Sequence, residues 1–228
     1  MLKRVFVPIH PAGWPFIAIF AVVTLVLADF AAPLGLLGAV LTLWCIYFFR
    51  DPPRMTPTRD GLVISPADGV VERIDAAPPP KELGMGETAM TRIAVFMNVF
   101  DVHVNRSPVD ATITGLAYRP GKFVNASLDK ASEGNERQSL RLRTKEGAEI
   151  AVCQIAGLIA RRILCDVAAG QEIEAGQRFG MIRFGSRVDV YVPEGTAIVA
   201  VVGQKTVGGE TIIADLHAQH SPFQGEIR

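Results

Sequence analysis

The chain of 228 residues balances 23 Lys+Arg against 23 Asp+Glu, for a formal charge of zero, so it lacks the basic field with which proteins hold nucleic acid. A charged fraction of 20% and a mean hydropathy of +0.28 exclude intrinsic disorder and mark a chain greasier than an ordinary soluble domain. Three cysteines without CxxC or Cys/His spacing give neither a disulfide framework nor a zinc site, and fit a reducing compartment.

The apolar excess lies at the N-terminal end. From Trp14 to Ala28 the only polar side chain is Thr24, and from Phe30 to Phe49 no residue is charged; Asp29 alone separates the two runs. At about 1.5 Å per residue the second run matches about 30 Å of hydrocarbon, whereas the first reaches about 22 Å, so the second is the expected span. Pro33, Gly35 and Gly38 interrupt its start and predict a tight helical hairpin, either dipping into one leaflet or crossing as a short pair. Lys3 and Arg4 precede the block and Arg50 and Arg54 follow it, which puts both flanks on the cytoplasmic side of a membrane. A cleaved signal peptide fits less well, because the block is too long for an h-region and no small-x-small site ends it. The predicted layout is an anchor over residues 1–50, a linker over 51–60 opened by Pro52-Pro53, a β domain over 61–216 and a polar tail over 217–228.

Beyond Gly61 the apolar residues fall in short β-branched runs between glycines: Val70-Val71, Ile93–Phe96, Ala111–Ile113, Ile150–Ile155, Arg187–Val192, Ala197–Val202 and Thr211–Ile213. Period-two alternation with turn signals predicts a mainly β domain, a compact barrel or sandwich. The glycine spacing in GQEIEAGQRFG and VGQKTVGGETI looks like that of biotinyl/lipoyl-type hammerhead barrels. A polar stretch from Asn125 to Glu136 is either one helical insert or an irregular loop.

Four stretches hold more reactive groups than strand packing requires: SPADG (Ser65–Gly69), FDVHVNRSP (Phe100–Pro108), GKFVNASLDKASEGNER (Gly121–Arg137) and RFGSR (Arg183–Arg187). Read singly, Asp68 is a turn acid, His103 an interior histidine between two valines, and Gly185-Ser186 a turn. Together, and in this order, they resemble the phosphatidylserine decarboxylase family, particularly its short bacterial members, from about Phe49 to Leu216.

The resemblance implies a lyase that processes itself and works with a pyruvoyl group derived from Ser186, acting on phosphatidylserine in membrane lipid. The local chemistry is consistent with that. Gly185 leaves its carbonyl unshielded, so the Ser186 hydroxyl is able to attack it in an N-to-O acyl shift. Elimination from the ester then releases Gly185 as a carboxylate, and hydrolysis of the resulting dehydroalanine gives ammonia and a pyruvoyl end on a small chain, 186–228, which stays as a partner of the large one. Serine needs a base and a group to orient it, for which His103 and Asp68 are the candidates. Longer members carry H-x-x-H-x-P, whereas here Arg106 stands at the second histidine position, so either His103 serves both cleavage and decarboxylation or Asp68 has another helper. Arg106 suits a carboxylate or phosphate. Lys122, Asn125, Asn135, Glu136 and Arg137 are the expected head-group residues, with a solvated loop as the plain alternative. The competing class is a membrane-anchored, non-catalytic carrier or adaptor of biotinyl/lipoyl type. A homo-oligomer stays open.

Overall fold

The structure is a computed structural model that describes residues 7–121, 134–157, 162–183 and 186–218. The chain divides into two compact units, Met1–Pro53 with Phe100–Val102, and Arg54–Val99 with His103–Arg228.

The first unit is a helical hairpin. A 3-10 turn, Pro11–Gly13, leads into α1 (Trp14–Phe30), and only Ala31, in extended backbone, separates it from α2 (Ala32–Phe48). Proline in the first turn of each helix fits there because the amide it lacks would have no helical partner. The helices touch through small residues. A Cβ on Gly35 would come within 2.6 Å of Ala28 Cβ, and one on Gly38 within 2.7 Å of Thr24 Oγ1. Beside that contact the Thr24 and Thr42 hydroxyls lie 3.0 Å apart, each within hydrogen-bond distance of a carbonyl of its own helix, so that one donates across the hairpin and the other back to its helix. Leu25, Phe30 and Leu36 point outward and are exposed. The helical stretch long and apolar enough to cross a bilayer is Pro11–Phe30, not the second run. The 3-10 turn lengthens the first arm, and α2 ends after 17 residues because Arg50 leaves to bridge Ile9.

The second unit is mainly β and entirely antiparallel. Its strands in chain order are β1 (Leu62–Ile64), β2 (Gly69–Ala77), β3 (Met90–Met97), β4 (Val104–Arg106), β5 (Ala111–Arg119), β6 (Arg137–Arg143), β7 (Glu149–Ala156), β8 (Ile163–Cys165), β9 (Glu172–Ile173), β10 (Arg178–Ile182), β11 (Ser186–Val192), β12 (Ala197–Ile198), β13 (Lys205–Thr206) and β14 (Ile212–Asp215). An eight-stranded sheet runs β13-β2-β3-β11-β7-β6-β5-β9, and two three-stranded sheets run β1-β14-β12 and β4-β10-β8. Alternation along the central strands sends Ile93, Val95 and Met97, Val188, Val190 and Val192, and Ile150, Val152 and Ala156 into one core. Each such aliphatic side chain contributes about 1.5–3 kcal/mol on burial. The opposite face carries Ala151, Cys153, Ile155 and Tyr191, packed under Leu83.

Two features differ from what the glycine spacing and the polar stretch after Phe49 lead one to expect, and a third expectation falls outside the described residues. The two glycine-spaced segments do not form hammerhead hairpins: β9 and β10 lie in different sheets, as do β13 and β14. Within the expected linker, 51–60, the stretch after Pro53 is bonded to the β unit, Arg54 to Asp68, Met55 N to Glu210 and Arg59 to Asp215. The expected helical insert lies almost wholly outside the described residues.

The 3-10 turn Lys81–Leu83 covers the outer face of the sheet, and its Glu82 is held there by Arg137 Nη2 at 2.6 Å and Ser139 Oγ at 2.9 Å. Burial works against ionisation of Glu82, yet the bonds from Arg137 and Ser139 hold its carboxyl below its ordinary 4.5. A depressed folded-state pKa stabilises fully above the unfolded value and loses that contribution as pH falls through the folded one. Acid titration of thermal stability will therefore show a loss below pH 4.5 that is smaller in Glu82→Gln. At neutral pH that variant will be less stable by about 1.5–3 kcal/mol, the worth of charge-assisted bonds.

Candidate active site

Ser186 opens the middle strand of the large sheet. Its backbone pairs with Met97 of β3 on one side and Ala156 of β7 on the other, and its side chain shares the parity of Val188 and Val190, so it faces the core. It is fully buried, and Oγ has no hydrogen-bond partner among the described residues. An unpaired buried hydroxyl costs about 1–3 kcal/mol and is uncommon in native interiors. The next polar pair points the other way: Arg187 reaches Asp189 at 2.7 and 3.0 Å, both fully buried. Burial pushes the Asp189 carboxyl up, against the pull of Arg187. Gly185 lies outside the described residues, as do Lys122 and Asn125.

His103 is fully buried just before β4, and its carbonyl accepts from Ile182 N at 3.2 Å. That bond places it at the end of β10, the strand that leads through Arg183 toward Ser186. Asp68 sits in the turn after β1, where Arg54 Nη2 reaches both carboxylate oxygens at 2.8 and 2.7 Å and Gly208 N donates at 2.8 Å. None of these bonds joins Asp68 to His103. The SPADG glycine, Gly69, is dictated by contact, since a Cβ there would lie 2.1 Å from the Phe96 carbonyl oxygen of β3. Arg106 is buried and ties this turn to its surroundings: its amide donates to Pro66 O at 2.9 Å and its guanidinium to Gly176 O at 2.9 Å. Gly209, at φ 80°, leaves room for the Arg106 side chain, whose Cδ would lie 2.7 Å from an added Cβ.

Asn135 and Glu136 lie at the strand end that faces Ser186. Asn135 Nδ2 donates to the carbonyl of Ala156 at 2.7 Å, Ala156 N donates to Glu136 O at 2.9 Å, and Glu136 Oε1 accepts from Ile163 N at 3.3 Å. Gly121 packs against the same peptide, where a Cβ would lie 2.2 Å from the Asn135 carbonyl carbon. Arg137 is not brought to Ser186; it lies on the other face of the sheet with Glu82.

Three residues of this region were not singled out from the sequence. Arg54 reads there as a membrane flank, but its guanidinium is the partner of Asp68. Asn105 and Gln154 are fully buried carboxamides joined by a bond of 2.7 Å. The available signal was Gln154 itself, a polar residue inside the apolar run IAVCQIA. An open cleft lined by Arg59, Asp110, Lys145 and Glu172 includes none of the residues above.

Known proteins extend this arrangement. The family model described as phosphatidylserine decarboxylase matches residues 41–214. A protein of Paramagnetospirillum magneticum named phosphatidylserine decarboxylase proenzyme is 58% identical over 228 residues, all of this chain and 95% of that one. One of the same name from Cereibacter sphaeroides is 58% identical over all of this chain and 98% of its own length, and one from Ruegeria pomeroyi is 56% identical over 92% and 95%. With SPADG, His103, the Asn135–Arg137 corner and Ser186 in one β unit, and with matches that run the length of the sequence, the chain belongs to the phosphatidylserine decarboxylase family.

Proposed function

We propose that this chain is a membrane-anchored phosphatidylserine decarboxylase, made as a precursor, that cuts itself between Gly185 and Ser186 and releases CO2 from phosphatidylserine to give phosphatidylethanolamine. The observation that carries the reading is Ser186: a fully buried hydroxyl with no partner among the described residues, on the first residue of the central strand. Family membership over nearly the whole chain supports the same reading, and the word proenzyme in the relatives' names supports cleavage. The rival reading, a carrier or adaptor of biotinyl/lipoyl type, keeps only the hydrophobic N-terminus, which both readings share, because the glycine-spaced segments form no hairpins and the family is one of decarboxylases.

The surroundings of Ser186 fit a pyruvoyl group formed there. Met97, Ala156 and Val188 make an apolar wall for a methyl in place of the hydroxymethyl, and the ladder to β3 and β7 holds the adjoining amide in plane. When formed, that group supplies the sink for the electrons left behind by CO2, which no side chain offers. His103 is the proton carrier: it activates the Ser186 hydroxyl during maturation and later returns a proton to the substrate carbon. Asp68 acts through the turn that it holds with Arg54 and Gly208, since its bonds go there. Asn135 and Glu136 brace the Ala156 end of β7 opposite Ser186. Lys122 and Asn125, in the family-like segment, take the head group with Arg106, while Arg137 braces the sheet through Glu82. The helical hairpin is the anchor in an inner membrane, with the β unit on the cytoplasmic side.

Ser186→Ala will fold, remain a single chain on a denaturing gel and release no CO2 from phosphatidylserine vesicles. Its stability will rise by up to about 1–3 kcal/mol, because the variant removes a buried hydroxyl that has no partner among the described residues. Two chains in that variant would place the cut elsewhere. His103→Ala will slow maturation, and modification of the histidine in already cleaved enzyme will separately lower decarboxylation by about two to four powers of ten. Normal maturation of His103→Ala would hand the first role to another base. Deleting residues 1–49 will free the protein from vesicles at high salt while the gel still shows two chains; a truncated form that still pellets would place a lipid-inserting surface on the β unit.

A further inference from the structure

Side chains from three strands meet on the interior face of the sheet beside Ser186. Gln154 of β7 donates from Nε2 to Asn105 Oδ1 at 2.7 Å, and Asn105 of β4 donates from Nδ2 to Met97 Sδ at 3.6 Å. Met97 stands directly opposite Ser186 on one side of β11. Gln154 stands opposite Val188 on the other, which makes it a diagonal neighbour of Ser186 on the same face. Diagonal positions lie about 7–8 Å apart, within reach of a long side chain. The bridge Gln154–Asn105–Met97 therefore passes from β7 to β3 across the interior side of β11 at the level of Ser186.

Two buried polar atoms there have no partner among the described residues, Ser186 Oγ and Gln154 Oε1, one able to donate and the other able only to accept. Asn105 Nδ2, for its part, rests on a thioether, a weak acceptor that it gives up at little cost for a charged oxygen. Because Gln154 Nε2 occupies Asn105 Oδ1, the amide is locked with its donor end toward β3 and Ser186.

We propose that these two carboxamides hold the Ser186 side-chain oxygen through both steps of self-cleavage, an inference that rests on the processing reading above. As cleavage begins, rotation of the two side chains brings Oγ–H to Gln154 Oε1, which accepts it and aims the oxygen. Oγ then gives its proton to the base and bonds to the carbonyl carbon of residue 185. The C–N bond breaks, its electron pair staying on the nitrogen of residue 186, which takes up a proton, and an ester results. Next a base removes the Cα proton of residue 186, the freed pair forms the Cα=Cβ bond, and the Cβ–Oγ bond breaks with its pair on Oγ, now part of the carboxylate of residue 185. Asn105 Nδ2 moves from Met97 Sδ to that oxygen as its charge develops. Gln154 is thus a positioning residue and Asn105 a catalytic residue of the elimination.

The test follows freshly synthesised full-length chain on denaturing gels with and without hydroxylamine, which splits an ester and leaves peptide bonds intact. Asn105→Leu will form two chains about a hundredfold more slowly, as when a donor to a developing charge is removed, and hydroxylamine-labile ester will accumulate. Gln154→Leu will slow ester formation itself about tenfold, the worth of one hydrogen bond, without accumulation. Asn105→Asp keeps the volume, so it covers a folding failure of the leucine variant. It will accumulate ester at neutral pH and clear it as pH falls, because the protonated acid donates in place of the amide. If the parent chain splits and the Asn105 variants split at its rate, or slow without ester, the proposal is overturned while the processing reading stands. A parent chain that never splits overturns both.

Discussion

The structure depends on β11 being paired along its whole length with β3 on one side and, from Ser186 to Tyr191, with β7 on the other. Under the proposed function Ser186 is cut free at its N-terminus and then does chemistry, so it has to stay where it was, and a central strand provides that. Val188, Val190 and Val192 fix one face in the core, and the Arg187–Asp189 pair fixes the other. A buried ion pair adds little net stability but is costly to break on one side, so it opposes any slip of the strand by one residue.

The same logic extends to the rest of the segment after Ser186. β13 pairs with β2 and β14 with β1, so residues from 186 onward are woven through strands that precede them in sequence. A cut before Ser186 leaves these ladders intact. The product chain is held by backbone bonds and core packing in several places, not by one contact. Polar interior groups gather at the same end: the Asn105–Gln154 bridge, the Asn135 bond to Ala156 and the turn of Asp68 with Arg54. Burying them is destabilising unless each finds a partner, and the one hydroxyl left without a partner there belongs to Ser186 among the described residues.

Much of this was legible in the sequence, for identifiable reasons. Two apolar runs, the second interrupted at its start by Pro33, Gly35 and Gly38, give a hairpin, and β-branched alternation gives β3, β7 and β11. β6 was missed because RQSLRLR alternates with arginines, which read as a solvated face; Leu140 and Leu142 are the half that meets the core, and Arg137 is buried on the other side by Glu82. Glycine spacing misled in the opposite direction, since β9 and β10 are close in sequence yet pair in different sheets. Asp68 and His103 were found by motif, but motif does not say who bonds to whom. The partner of Asp68 is Arg54, a residue whose charge had been read as membrane flanking. Asn105 and Gln154 carried too little signal, because a single amide in a strand becomes informative only when its neighbours across the sheet are known.

The central claim is that Ser186 becomes the reactive end of a small chain that remains in the sheet. Intact-mass spectrometry of the protein purified from membranes tests it most directly. The account predicts a chain comprising residues 186–228 that is lighter by one ammonia than the same peptide beginning with serine, and that stays with the large chain until denaturation. A small chain beginning with unmodified Ser186, one beginning at another residue, or a protein that is never cut would contradict it.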